Sequence, residues 1–295
     1  MIRRFASLQR NNARHPLISS ASRLGHVLQL RAGDPIGGII GGSPVGVPVN
    51  LAPDRFAIGS TVTVSSTCTV VGQGYGTEVV LRGNSAGPAM EISADKVIIE
   101  GIRFVYNDVL PATSLITRPV RCSGETYNPA ALSASLSSSA LFITGDNVTI
   151  RNCWFEGFDN AIYTSGSYTA VEGCYFSSQS TSTKSSVYLA GTHGSVRHCH
   201  SELAAYGVYA SGNYSSISDN SMIATESGIF VTSDYNRIHG NLCAGHADGF
   251  AMTLTVPAQY NAVTGNVASA GTYYFISPAT SYNQYGANAG TVDIE

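Results

Sequence analysis

Seven letters recur along this chain. Tyr235 to Asn241 reads YNRIHGN, Tyr260 to Asn266 reads YNAVTGN, and Tyr214 to Asn220 reads YSSISDN. Aligned on the apolar fourth letter, the motif falls at Ile99, Ile150, Val171, Val196, Ile217, Ile238, Val263 and Tyr285, in steps of 51, 21, 25, 21, 21, 25 and 22 residues. A period of that length defines a solenoid, in which one coil cannot bury its own apolar face and neighbours must stack to make a core.

Each repeat holds at least two strands. One is the motif strand, as in VTIRNCWF (148–155). The other lies nine residues upstream: ALFITG (140–145), AIYTSG (161–166), SVYLAG (186–191), GVYASG (207–212) and GIFVTS (228–233). These runs are short, β-branched and aromatic, with Gly, Asn and Ser between them, which is strand-and-turn chemistry. With no sustained helical period, the fold class is all-β, a parallel β-helix with an irregular basic N-terminal arm.

The columns of the repeat carry further expectations. Three places after the apolar letter stand Cys153, Cys174 and Cys199, then Asn220, Asn241, Asn266 and Asn288. At the ~4.8 Å spacing of stacked strands, asparagines pass side-chain hydrogen bonds from coil to coil, and the cysteines fill the same column as small buried thiols. A disulfide is the lesser alternative. Five places on come Phe104, Phe155, Phe176, Ser201, Met222 and Cys243, a core column. Directly after the apolar letter come Glu100, Arg151, Glu172, Arg197 and His239, an outward row of weak ion pairs.

Charge separates the two ends. Charged residues make up only 12% of the chain and its net charge is −3. That is well below the roughly 25% charged content of ordinary domains and gives no global pull on nucleic acid. Yet Arg3, Arg4, Arg10, Arg14, Arg23 and Arg31 all precede the first carboxylate, Asp34. Residues 1–46 are therefore read as a basic arm with a Gly/Pro linker, and 47–295 as the solenoid, with a lateral loop at 108–138 that carries Arg118, Arg121, Glu125 and Tyr127. Composition alone also fits a transit peptide for the arm. No run is long enough to span a bilayer. None of the six cysteines forms a close CxxC pair, so neither a zinc site nor any cofactor is expected. GQGYG (72–76) has no helix after it and reads as a tight turn rather than a nucleotide cradle.

The segment VPVNLAPDRFAIGSTVTVSSTCTVVGQGYGTEVVLRG (47–83) resembles the opening coils of the pectate-lyase-like right-handed β-helices found in phage tailspikes and other virion proteins. The resemblance implies a right-handed helix. It also implies a virion structural protein of a tailed phage: a tailspike, fibre or capsid-decoration protein, homotrimeric, docked to other virion proteins through the arm and meeting host-surface polysaccharide. A polysaccharide depolymerase of the glycoside hydrolase type is the alternative. The Asp cluster of the lyases is missing at matching positions.

Candidate site residues follow from column positions. Phe142, Tyr163, Tyr188, Tyr209 and Phe230 occupy the middle of the upstream strand in five successive coils and should face outward. They are an oligomer seam, a glycan platform or a stiffening stack. Glycan hydrolysis needs two carboxylates about 5 Å apart, or up to about 9.5 Å apart in inverting enzymes. Glu226 and Asp248, with His246 beside them, fall in adjacent coils near one turn, and Glu156 and Glu202 share a column two coils apart. Surface carboxylates without a role are the simpler account of both pairs. His193, His198 and His200 are close in sequence; alternation puts at least one of them in a turn, and metal ligation is the lesser alternative.

Overall fold

The computed structural model describes residues 27–82, 87–107, 139–158, 160–177, 185–245, 250–255, 258–268, 273–276, 282–289 and 291–294. Among them every ladder between strands is parallel. One sheet of 11 strands is built from the motif strands, and a second, of 17 strands, carries the other two strands of each coil. A coil therefore has three faces. In one coil they are Ser139–Ile143, Thr149–Arg151 and Trp154–Glu156. Two later strands, His200–Ala210 and Ser221–Val231, run unbroken through the bend between the third face and the first.

The motif column stacks in register. Ile99, Ile150, Val171, Val196, Ile217, Ile238, Val263 and Tyr285 pair in succession. Val49 and Val70 extend the column upstream. All but Tyr285 are buried. Each buried Val or Ile contributes about 1.5–3 kcal/mol, so a single slip of register would lose the whole column. The core column behaves likewise: Phe104, Phe155 and Phe176 stack at 5.2 and 5.1 Å between centroids, and Ser201, Met222 and Cys243 continue it, buried, in later coils.

Polar ladders run beside the apolar ones. The Asn241 side-chain oxygen accepts from both the backbone and the side-chain N–H of Asn220, and Asn266 and Asn288 repeat the arrangement. The Cys199 backbone N–H joins the ladder by donating to Asn220. Cys153, Cys174 and Cys199 are buried free thiols, as are Cys68 and Cys243. A second ladder, which the sequence reading missed, links Ser215, Asn236, Asn261 and Asn283 through side-chain oxygens that accept from backbone N–H groups. These bonds satisfy buried turn amides that would otherwise lack partners. A glycine column closes the coils: a Cβ on Gly191 would lie 2.0 Å from the Gly166 carbonyl oxygen.

The stretch read as arm and linker contains structure. Leu28–Leu30 pairs with Val49–Leu51, and Ile36–Gly41 is a short helix that buries Ile36 and Ile40. Those two residues are one helical turn apart, so a single turn lays both over the end of the core. Glycines between them hid the period. Of the six arm arginines only Arg31 is described; it is exposed, and its backbone N–H donates to the Asp34 carboxylate. Arg3, Arg4, Arg10, Arg14 and Arg23 lie outside the described residues, as does the loop 108–138.

Candidate glycan-contact face

The third face of the coils gathers the chemistry. Arg55, Glu78, Arg103, Trp154, Tyr175, His200 and Ser221 pair in register along it. Alternation on a strand then points all of them away from the core, since Phe104, Phe155 and Phe176 point inward. Arg103 is the hub. Its Nε and Nη2 donate to the two oxygens of Glu156 at 2.9 and 2.7 Å, and its Nη1 donates to Glu78. Arg55 reaches the other oxygen of Glu78 at 3.4 Å. Burial opposes the charge on Arg103, but the hydrogen bonds and charge of Glu156, then the charge of Glu78, outweigh it and hold the guanidinium protonated.

The GQGYG turn covers this network. Gly74 sits at φ +67°, a left-handed conformation that glycine adopts without cost. The turn lays Tyr75 with its ring 4.8 Å from the Arg103 guanidinium carbon and edge-on to Trp154, at 5.3 Å between centroids. The tight turn expected from sequence thus also builds a cation–π lid. Further along, Tyr175 stacks on His200 at 5.1 Å, and His200 Nε2 is 2.9 Å from a Glu202 oxygen.

The structure treats the expected site residues unequally. Glu156 pairs with Ser177, and in the next coil step Tyr175 and Phe176 pair with His200 and Ser201, which precede Glu202 on its strand. Two coil steps separate the Glu156 and Glu202 backbones by roughly 9.6 Å, whereas the window of up to about 9.5 Å for inverting enzymes is set between the carboxyl groups themselves. Both oxygens of Glu156 are taken by Arg103, so its carboxylate is engaged rather than presented. Glu226 lies on the strand Ser221–Val231; its side chain, His246 and Asp248 lie outside what the structure describes. Of the three histidines, His193 stands apart, while His198 and His200 line one surface depression. His193 stacks between Tyr168 and Tyr214, His200 meets Glu202, and His198 lines a shallow surface depression with Cys199, Asp219 and Leu242. Among the described residues, no three His, Cys, Asp or Glu side chains come together in a way that could hold a metal ion.

The ring column Phe142, Tyr163, Tyr188, Tyr209 and Phe230 is in register and half-buried. Successive centroids are 5.2, 5.0, 4.6 and 4.9 Å apart. The ring faces therefore cover each other, and mainly edges remain to meet a partner. The outward ion pairs, Arg151–Glu100 at 2.7 Å and Arg197–Glu172 at 2.9 Å, are partly exposed and individually weak.

The sequence reading passed over a more exposed row. The first letter of the motif gives Tyr168, His193, Tyr214, Tyr235, Tyr260 and Tyr282, all at φ between +57° and +63° and stacked 4.7–5.1 Å apart. The five tyrosines are 46–71% exposed. A left-handed backbone costs a bulky residue about 1–2 kcal/mol, which ring stacking and the asparagine ladder one residue later offset. The signal was the repeated Tyr-Asn at the head of the motif.

Fold and face together define a parallel β-helix with an aromatic and carboxylate-lined outer surface. A sequence model of the family described as adenovirus EB1 55K protein / large t-antigen matches residues 47–253, and the chain belongs to that family. This is a different viral group from the one its opening coils resemble. No curated protein sequence matches the chain significantly. Among solved structures, a tailspike protein variant of E. coli bacteriophage HK620 is similar, with TM-score 0.57 at 14% identity, over 95% of this chain and 58% of that one. A second variant of that tailspike, in complex with a pentasaccharide, is similar with TM-score 0.54 at 14% identity, over 94% and 58%. An alginate lyase from Paenibacillus sp. is similar with TM-score 0.52 at 12% identity, over 90% and 99%. The chain spans little more than half the length of the tailspike structures it matches. Identities this low show a shared fold.

Proposed function

We propose that this chain is a virion-surface β-helix of a tailed phage that contacts host-surface polysaccharide with the face around Trp154. The observation that carries the reading is the outward row Trp154, Tyr175 and His200, edged by Glu156 and Glu202 on a rigid scaffold. Aromatic bodies with a few fixed polar groups are what a sugar site requires. A fold shared with a tailspike solved in complex with a pentasaccharide supports it. The opening coils support the finer pectate-lyase-like subtype. In this reading the basic arm, Arg3 to Arg31, docks the chain to other virion proteins. The outer edges of Phe142, Tyr163, Tyr188, Tyr209 and Phe230 form a seam between copies, in a homotrimer.

The second reading is a glycoside hydrolase, and the placement of Glu156 and Glu202 on one outward face favours it. The Arg103 clamp on Glu156 argues for contact over cleavage, because a general acid must present a proton to the glycosidic oxygen. Incubating purified chain with host capsule or lipopolysaccharide separates the two. Cosedimentation without new reducing ends fits contact. Reducing ends that disappear in Glu202→Gln identify the hydrolase. Neither binding nor release would remove both readings.

A further inference from the structure

The outward row of the third face continues beyond the residues described above. Trp154, Tyr175 and His200 are followed in register by Ser221, Leu242 and Val267. Rings thus give way to aliphatic side chains. Leu242 is 48% exposed and Val267 43%, and Ile223, the next outward position along from Ser221, is 37% exposed. Adjoining exposed apolar residues rimmed by polar groups mark a binding surface. A depression opens beside them, lined by His198, His200, Asp219, Ser221, Gly240 and Leu242. Gly240 keeps it open: its φ is +67°, and a Cβ there would lie 2.5 Å from an Asp219 carboxylate oxygen. The hollow therefore sets one aliphatic wall against a carboxylate, a hydroxyl and two imidazoles. His200, stacked on Tyr175, belongs both to the hollow and to the aromatic row.

We propose that this depression is a subsite for a 6-deoxyhexose unit of the polysaccharide, with the sugar's C6 methyl group on Leu242 and Val267 and its ring hydroxyls on Asp219 and Ser221. The assignment rests on the reading that the third face meets polysaccharide, and it adds the kind of sugar selected there. A pyranose carries hydroxyls that a carboxylate and a serine can bind, and an ordinary hexose ends in a hydroxymethyl group. Aliphatic side chains give that last hydroxyl no partner, so it would lose water without replacement. A methyl group in the same place buries apolar surface against them. Flat rings, which can cover a sugar face, stand in the coils around Trp154; Leu242 and Val267 have no flat face and suit a methyl group. Four coil steps separate Trp154 from Leu242, roughly 19 Å. One monosaccharide therefore reaches the depression without touching Trp154, and the two places hold different units of one glycan.

The test uses the full chain with isotope-labelled leucine and valine methyl groups, observed by NMR. Two pairs of probes are titrated: methyl α-L-rhamnopyranoside against methyl α-L-mannopyranoside, and methyl α-L-fucopyranoside against methyl α-L-galactopyranoside. Members of a pair differ only in the 6-hydroxyl. The expected result is that a deoxy sugar shifts the Leu242 and Val267 methyl signals saturably. Its hydroxylated twin should bind at least about fourfold more weakly, the effect of one buried methylene. Leu242→Asn should remove that preference, and Asp219→Asn should weaken both twins and keep their ratio. The parent titration decides the matter even where a variant fails to fold. Equal affinities within both pairs, shifts confined to other methyl groups, or no shift with any probe would overturn the assignment. So would Leu242 signals that move on dilution of the protein alone, which mark a contact between copies. Trp154 emission, titrated with host-surface polysaccharide, separates the two levels. A response there while Leu242 stays silent to the deoxy sugars overturns the subsite alone. Deoxy sugar on Leu242 with no polysaccharide response at Trp154 overturns the reading of the wider face and leaves the subsite.

Discussion

Replacing Asn241 by alanine tests whether the amide ladder holds the coils together. Asn241 is fully buried. Its side-chain oxygen accepts from the Asn220 backbone N–H at 3.1 Å and from Asn220 Nδ2 at 2.9 Å, and its Nδ2 donates to the Ile217 carbonyl and to Asn266 Oδ1, both at 2.9 Å. Alanine removes all four bonds. Asn220 Nδ2 keeps its bond to the Val196 carbonyl, so two N–H donations by Asn220 are left unmet in the core. At about 1–3 kcal/mol for each orphaned group, the loss should be about 3–5 kcal/mol once partial relaxation is allowed. For a chain of this size that lowers the melting midpoint by roughly 6–12 °C, measured by circular dichroism. Cysteine provides the control, because the column itself uses cysteine in earlier coils, where Cys199 Sγ lies 3.7 Å from the Val171 carbonyl oxygen. Asn241→Cys should lose about half as much as Asn241→Ala. An alanine variant that melts within about 2 °C of the parent would show that the ladder only decorates coils held by their apolar columns.

Gly191→Ala should prevent normal folding, because the added carbon would lie 2.0 Å from a neighbouring carbonyl oxygen; a soluble, β-rich variant with the parent melting point would contradict that. Arg103→Met leaves Glu78 and Glu156 facing each other on a largely covered surface and should cost about 3–5 kcal/mol, with partial recovery when Glu156→Gln is added, as urea unfolding can show. Burial raises the thiols of Cys68 and Cys243 from 9.0 to about 11 and about 12. The unfolded chain ionises them near 9 and the folded chain does not, so their contribution is complete below that pH and is lost as pH rises through 11. Cys243→Ala should therefore show a shallower fall in melting midpoint between pH 9 and 11 than the parent; equal slopes would refute the assignment.

Much of the fold was legible because the coil period repeats the same side-chain requirements. Ile150, Val171, Val196, Ile217 and Ile238 had to coincide, and they do. The asparagine and cysteine column, the stacked phenylalanines and the outward ion pairs followed from the same alignment. What the alignment could not carry was anything that breaks the repeat. The helix Ile36–Gly41 occurs once and covers the end of the core, so no column announces it. Arg103 stands in register with Trp154, and no shared letter shows that it would grip Glu156 from the neighbouring coil while GQGYG folds back over it. The Tyr168 to Tyr282 ridge was in plain view as the first motif letter. It was missed because a bulky residue in a left-handed turn is not what turn chemistry leads one to expect.

Trp154 is the only tryptophan in the chain, and it lies on the face assigned to glycan contact. Tryptophan emission, excited selectively beyond the absorption of the tyrosines and titrated with host-surface polysaccharide, therefore reports on that face. The account predicts a saturable change in emission, absent with an unrelated neutral polysaccharide, and loss of binding in Trp154→Ala as judged by cosedimentation. Polysaccharide that cosediments with the parent chain while its emission stays flat, and with Trp154→Ala just as well, would place the glycan on another surface and contradict the account.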